Sequence, residues 1–221
     1  MGVFLGAARM PTRTHVDSSP AQRRIVQMAV SLLLDYPDER LTDIIAAVRH
    51  ERDLMPAQIS EEIMIFCRTA EDWGLRALQE HYVETFDQRR RCALYLSYYS
   101  AGDTRERGAA ILGFREVMRR NGFEMTSPHE LPDYLPVVLE FAARADDGEE
   151  LLRANREGLE VIRSALRSAI SPYAHLLQAL CLLLSPLDEQ TLARYQRLIS
   201  QGPPFELVGR TALDSTTGSR P

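Results

Sequence analysis

The sequence predicts an all-α fold, a single-domain helical bundle of about eight helices. Three observations carry this. Apolar residues recur at three- and four-residue spacing along most of the chain. Proline, glycine and acidic residues punctuate these runs where helices start and stop. No segment shows sustained two-residue alternation bounded by turn signals. With 221 residues and 45% hydrophobic content the chain can bury one sizeable core. The expected organisation is a mobile N-terminal tail at 1–20, a helical domain at 21–202 and a disordered C-terminal tail at 203–221.

The first helix is expected from Ala21 to Tyr36, with Ile25, Met28, Ala29, Leu32 and Leu33 inward, and Pro37 stops it. A second covers Glu39 to Arg52 and buries Leu41, Ile44, Ile45 and Val48. A third runs from Pro56 to Glu71 with Ile59, Ile63, Phe66 and Cys67 inward. The next carries Leu75, Leu78, Tyr82 and Phe86 on one face. Asp103 and Glu106 have capping-box spacing and open a helix that buries Ala110, Ile111, Phe114, Val117 and Met118. In the following segment Asp133 is a sensible N-cap, and Pro136 is cheap only in the first turn, where its missing N–H costs nothing. Leu131, Leu135, Val138, Leu139 and Ala142 are its apolar side. One long helix is then expected from Gly148 to Ile170, with Glu149/Arg153 and Arg156/Glu160 pairs four apart on its outer face. Pro172 to Leu184 is almost wholly apolar and should be the most buried helix. A last helix spans Asp188 to Ser200.

Composition narrows the function. All 26 basic residues are arginine, which rules out Schiff-base or phosphate-loop lysine chemistry. A net charge of −5 argues against nucleic acid and favours a basic partner. Cys67, Cys92 and Cys181 are isolated in apolar surroundings, so neither a disulfide framework nor a zinc site is expected. Arg23-Arg24 precedes the run IVQMAVSLLL, but Gln27 interrupts it and Asp35-Tyr36-Pro37 ends it. This run is too short to span a bilayer, and a cytoplasmic protein is expected. No phosphate loop, dinucleotide fingerprint, nucleophile elbow or zinc-protease motif is present, and the five histidines lack metal-ligand spacing. No metal and no cofactor is expected.

Two stretches hold aromatic and acidic residues near helix ends. Tyr82, Phe86 and Asp87 form one; Leu131, Asp133, Tyr134, Leu135, Leu139 and Glu140 form the other. A carboxylate and a phenol at a helix mouth can cap the helix or bind a ligand. Tyr82 and Phe86, four residues apart, can be core or the wall of a groove. An acid–base site at Asp133, Tyr134 and Glu140 is the enzymatic alternative.

Four stretches, LLLDYPDERL (32–41), YVETFDQRRR (82–91), GDTRERGAA (102–110) and ELPDYLPVVLEF (130–141), resemble the NarJ family of nitrate reductase molybdenum-cofactor assembly chaperones. That family lies within the TorD/DmsD group of redox-enzyme maturation proteins, and the resemblance covers roughly residues 25 to 185. It implies a non-catalytic chaperone. Its partner would be the N-terminal segment of the nitrate reductase catalytic α subunit, and it would hold the apoenzyme for molybdenum-cofactor insertion before membrane attachment. A different molybdoenzyme of the same group is the alternative client. The peptide would lie in a groove formed by the two aromatic stretches. The family pattern has a histidine where this chain has Tyr134.

Overall fold

A computed structural model describes residues 15–101, 105–125 and 130–185, together with Gln190. Among them are nine α-helices. These are α1 (Pro20–Leu34), α2 (Leu41–His50), α3 (Ala57–Tyr82), α4 (Ser97–Ala101), α5 (Arg105–Arg120), α6 (Leu135–Arg144), α7 (Asp146–Ala154), α8 (Arg156–Ser168) and α9 (Tyr173–Leu183). No strand occurs among the described residues. One isolated antiparallel bridge joins Tyr95 to Tyr134. Asp103, most of the residues expected in the two tails, and the helix expected at Asp188 to Ser200 lie outside the described residues. From Val16 onward the chain is tied down, the Val16 N–H donating to the Leu182 carbonyl at 2.9 Å.

A helix apolar on every side must be covered on every side. That is α9, packed against α1, α3 and α8, with Leu176, Leu177, Ala179 and Leu180 wholly buried. Against it α3 presents Ile59, Ile63, Phe66 and Cys67, all at zero exposure, as their spacing required. The two helices expected on either side of Glu71–Leu75 are both present within α3 and meet at a kink at Gly74, whose φ of 76° is open to glycine without the clash that a Cβ brings. Beyond Tyr82 the chain makes a π-helical turn, Val83–Asp87.

The first helix starts on a capping box. Ser19 accepts from the Gln22 N–H, and the Gln22 side chain accepts from the Ser19 N–H. Its buried face is rotated from the expected one. Val26, Ala29, Val30, Leu33 and Leu34 are inside, with Gln27 and Ser31, whereas Leu32 is 42% exposed. Contact with α6 selects this face: the Ser31 hydroxyl donates to the Pro136 carbonyl at 2.7 Å. In α5 only Phe114 and Met118 of the expected five residues are buried.

The long helix expected from Gly148 to Ile170 is two helices, α7 and α8, separated at Asn155. Gly148 is buried where α7 crosses α6, and a Cβ there would come within 2.3 Å of the Ala142 Cα. Arg156 and Glu160, expected outside, are buried with Arg163. Glu160 bridges the two guanidiniums at 2.8 Å each. These charges are enclosed because α8 packs against α9, α4 and the turn at Arg90–Cys92. The chain turns from α8 to α9 through Ile170 (φ 54°), a β-branched residue in the left-handed region.

Candidate functional site

The site is built on a short extended crossing. The Leu96 N–H donates to the Asp133 carbonyl at 2.9 Å, and the Leu135 N–H to the Leu94 carbonyl at 2.8 Å. Asp133 is wholly buried. Its carboxylate accepts from the Ser97 N–H at 3.2 Å and from the Ser97 hydroxyl, which in turn accepts from Arg107 Nε at 3.2 Å. Asp133 therefore holds the start of α4, and not α6 as its position in the sequence suggested. The residue at the N-cap of α6 is Tyr134, and Pro136 occupies the first turn, where its missing donor is not needed.

Tyr134 meets Tyr82 across this crossing, their hydroxyls 2.8 Å apart. The Tyr82 hydroxyl also lies 3.3 Å from the Leu34 carbonyl, and the Tyr134 hydroxyl 3.3 Å from an Asp35 carboxylate oxygen. Gln79 Nε2 donates to the Pro37 carbonyl at 2.9 Å, so the end of α3 holds the segment after α1 from below. Burial raises the Tyr82 and Tyr134 phenols far above their ordinary range, and both stay protonated. Tyr173 and Phe86 pack edge-on at 4.9 Å beneath Tyr82.

Between α1, the turn into α2, Phe123–Met125 and α6 lies a cleft of about 450 Å³. Tyr134 and Glu140 are the members of the two aromatic stretches that line it. Tyr82, Phe86, Asp133, Leu135 and Leu139 are buried behind that wall, Leu131 is half-buried outside the lining, and Asp87 is exposed at the end of the π-helical turn. Sequence reasoning missed the rest of the cleft, which includes Met28, Leu32, Asp35, Tyr36, Glu130 and Val137. Leu32 and Tyr36 are 42% and 47% exposed, large apolar groups on one rim. The stretch LLLDYPDERL contains three of these residues, but helical spacing places its first leucine, Leu32, in the core.

An acid–base centre at Asp133, Tyr134 and Glu140 does not assemble. Asp133 is sealed against Ser97, Tyr134 is held by Tyr82, and Glu140 pairs with Arg144 at 2.6 Å. A smaller recess of about 330 Å³ lies across the bundle between α3 and the α8–α9 turn, where Glu62 holds His175 Nδ1 at 2.6 Å. The imidazole there is satisfied but half-exposed, not part of the core. Cys67, Cys92 and Cys181 are buried free thiols. Burial pushes Cys67 and Cys92 up to about 11 and Cys181 up to about 12. Among the described residues no helix is long and apolar enough to cross a membrane.

Comparison with known proteins assigns this architecture. The family model described as nitrate reductase delta subunit matches residues 52–179, more than half of the chain. A probable nitrate reductase molybdenum cofactor assembly chaperone, NarJ, of Bacillus subtilis is 35% identical over 164 residues, covering 72% of this chain and 87% of that one. The Escherichia coli K12 chaperone NarJ is 31% identical, covering 68% of this chain and 66% of its own length. A nitrate reductase-like protein, NarX, of Mycobacterium tuberculosis is 36% identical, but the match spans 26% of it. The crystal structure of a putative redox enzyme maturation protein from Archaeoglobus fulgidus superposes with a TM-score of 0.54 at 22% identity, over 75% of this chain and 93% of that one; it shows the fold alone. The chain belongs to the nitrate reductase delta subunit family.

Proposed function

We propose that this protein is an assembly chaperone for respiratory nitrate reductase. It binds the N-terminal segment of the catalytic α subunit in the cytoplasm and holds the apoenzyme for molybdenum-cofactor insertion before membrane attachment. Relatives named as nitrate reductase molybdenum cofactor assembly chaperones support the client. The observation that carries the mechanism is the cleft over Tyr134, with an exposed apolar rim at Leu32 and Tyr36 and carboxylates at Asp35, Glu130 and Glu140. An amphipathic segment can lay its apolar side chains against Leu32, Tyr36 and Val137 while its basic side chains meet the carboxylates. Tyr82 and Phe86 act from below: they fix Tyr134 and the chain after α1, so the wall is formed before the client arrives.

Calorimetric titration of a peptide from the α-subunit N-terminus tests this. Leu32→Glu should weaken binding about 10-fold or more, as loss of a rim anchor does. Leu54→Glu, on a more exposed leucine outside the cleft, should leave it unchanged. Equal affinity for the wild type and Leu32→Glu sinks the cleft as the peptide site.

A further inference from the structure

The charges in the cleft are not equivalent. Four carboxylates and two guanidiniums line it. Asp38 is held by Arg40, with a shortest contact of 2.7 Å, and Glu140 by Arg144 at 2.6 Å. That leaves Asp35 and Glu130, which form no ion pair among the described residues. Their donors are neutral. Asp35 accepts from the Tyr36 N–H at 2.9 Å and the Tyr134 hydroxyl at 3.3 Å. Glu130 accepts from the Leu131 N–H at 3.0 Å and the Tyr95 hydroxyl at 3.3 Å. Arg40 feels Asp35 only at longer range, because its guanidinium is committed to Asp38.

These two carboxylates, without an ion pair among the described residues, face one tyrosine pair. The Tyr95 and Tyr134 rings pack at 5.4 Å, so Glu130 sits at one end of a tyrosine pair and Asp35 at the other. The negative field of both reaches the Tyr134 phenol and adds to the burial that raises it. Asp35 is exposed and Glu130 half-buried, so a ligand can reach both, and next to Asp35 the Leu32 and Tyr36 side chains stand out on the rim. A cationic side chain that enters the recess finds two carboxylates that form no ion pair among the described residues.

We propose that Asp35 and Glu130 receive arginine or lysine side chains of the bound segment, while Leu32 and Tyr36 take a large apolar side chain beside them. This rests on the reading of the cleft as a peptide site, and it names the pairing that selects the peptide: a basic residue next to an apolar one. Glu140 and Asp38, each already neutralised within the chain, contribute little to the choice.

The test uses the full chain. The α-subunit N-terminal peptide, and the same peptide with its basic residues replaced by norleucine, are titrated at low and high salt. The proteins are wild type, Asp35→Asn/Glu130→Gln, and the charge-matched control Asp72→Asn/Glu150→Gln, whose residues are exposed and outside the cleft. At low salt the cleft variant should bind the natural peptide about 10-fold more weakly and lose most of the salt dependence, as expected for two partly exposed pairs. Its affinity for the norleucine peptide should equal that of the wild type, and the control should stay within about twofold throughout. Equal losses in the cleft variant and the control, or an equal loss for both peptides, overturn the proposal. A second probe separates it from the identity of the client: arginine amide against citrulline amide, followed on the Tyr36 and Tyr134 resonances. If the peptide fails to bind wild type, the client is wrong. A tyrosine shift with arginine amide that vanishes in the cleft variant still upholds the cation notch, and no shift ends it.

Discussion

Glu160 is the carboxylate whose loss should cost this protein most. Its side chain is 0% exposed, and the Arg156 and Arg163 side chains are 4% and 2% exposed. Each guanidinium has a further tie: Arg156 Nη2 donates to the Cys181 carbonyl at 2.9 Å and Arg163 Nη1 to Gln178 at 2.9 Å. Glu160→Gln keeps the shape and removes the charge, which leaves two buried cations facing each other through an amide. Each pair is worth roughly 4 kcal/mol at an effective dielectric constant of about 20 and about 4 Å between charge centres, before the arginine–arginine repulsion is counted. Breaking a buried pair by removing one partner costs about 3–5 kcal/mol, a large part of the roughly 5–15 kcal/mol that holds a domain together.

Urea unfolding reads this directly. With a slope of about 2–3 kcal/mol per molar, the midpoint of Glu160→Gln should fall by roughly 1–2 M. Replacing all three residues by apolar ones of similar size should be less harmful than the single change, because no buried charge is then left without a partner. The contrast is Glu116. Hydrogen bonds from Arg119 and Arg120 hold its carboxyl down to about 2, yet these pairs lie at the surface where solvent screens them, and Glu116→Gln should leave the midpoint where it was. A Glu160→Gln midpoint within about 0.3 M of wild type would refute the claim that burial sets the worth of these pairs.

Two more outcomes follow from local geometry. Ile170 sits at φ 54° with its side chain 90% exposed, so Ile170→Asn removes left-handed strain and almost no packing; it should stabilise by about 1 kcal/mol, and a lower melting temperature would show the strain to be absent. His81 lies between Ser171 Oγ at 2.8 Å and Thr85 Oγ1 at 3.2 Å, and burial, helped by Arg89 and opposed by Glu84, lowers its pKa below the ordinary 6.5. The unfolded chain therefore takes up this proton first. His81 favours folding above pH 6.5, and that contribution is lost as pH falls through the lowered value. Urea midpoints from pH 7.5 down to 5 should decline less steeply in His81→Gln, and identical slopes would remove His81 from the account.

The parts of the fold legible in the sequence are those where only one face of a helix is apolar, or none is polar. The spacing of Ile59, Ile63 and Phe66 leaves one face for the core, and the near-total apolarity of Tyr173–Leu183 leaves only His175 and Gln178 partly open to water. The run IVQMAVSLLL fails for the opposite reason: nearly every position is apolar, so periodicity does not choose a face. Contact with α6 and α9 chooses it, burying Gln27 and Ser31 and turning Met28 and Leu32 to the cleft. Likewise Arg156 and Glu160, four apart, have the sequence spacing of a solvated pair. Their burial depends on α4 and the Arg90–Cys92 turn covering α8, which no local pattern contains.

The candidate site was half legible for a similar reason. ELPDY and YVETFD mark the place, but most of their side chains support the cleft without lining it. Asp133 spends its carboxylate on Ser97, and through Ser97 it meets Arg107, so the third motif is tied to the fourth. Tyr82 joins Tyr134 to the Leu34 carbonyl, so the second motif is tied to the fourth and to the first. All four stretches thus converge on one wall, and that convergence is a three-dimensional fact invisible to spacing. The residues free to meet a ligand are those the wall leaves over: Leu32 in the last turn of α1, Asp35 and Tyr36 just beyond its end, and Glu130 before the crossing. α1 stops at Leu34, and Pro37, with no N–H to continue a helix, keeps the segment extended. A substitution restoring helix through 35–37 would turn Asp35 and Tyr36 away from Glu130 and would also break the edge-on packing of Tyr36 on Tyr82 at 5.4 Å.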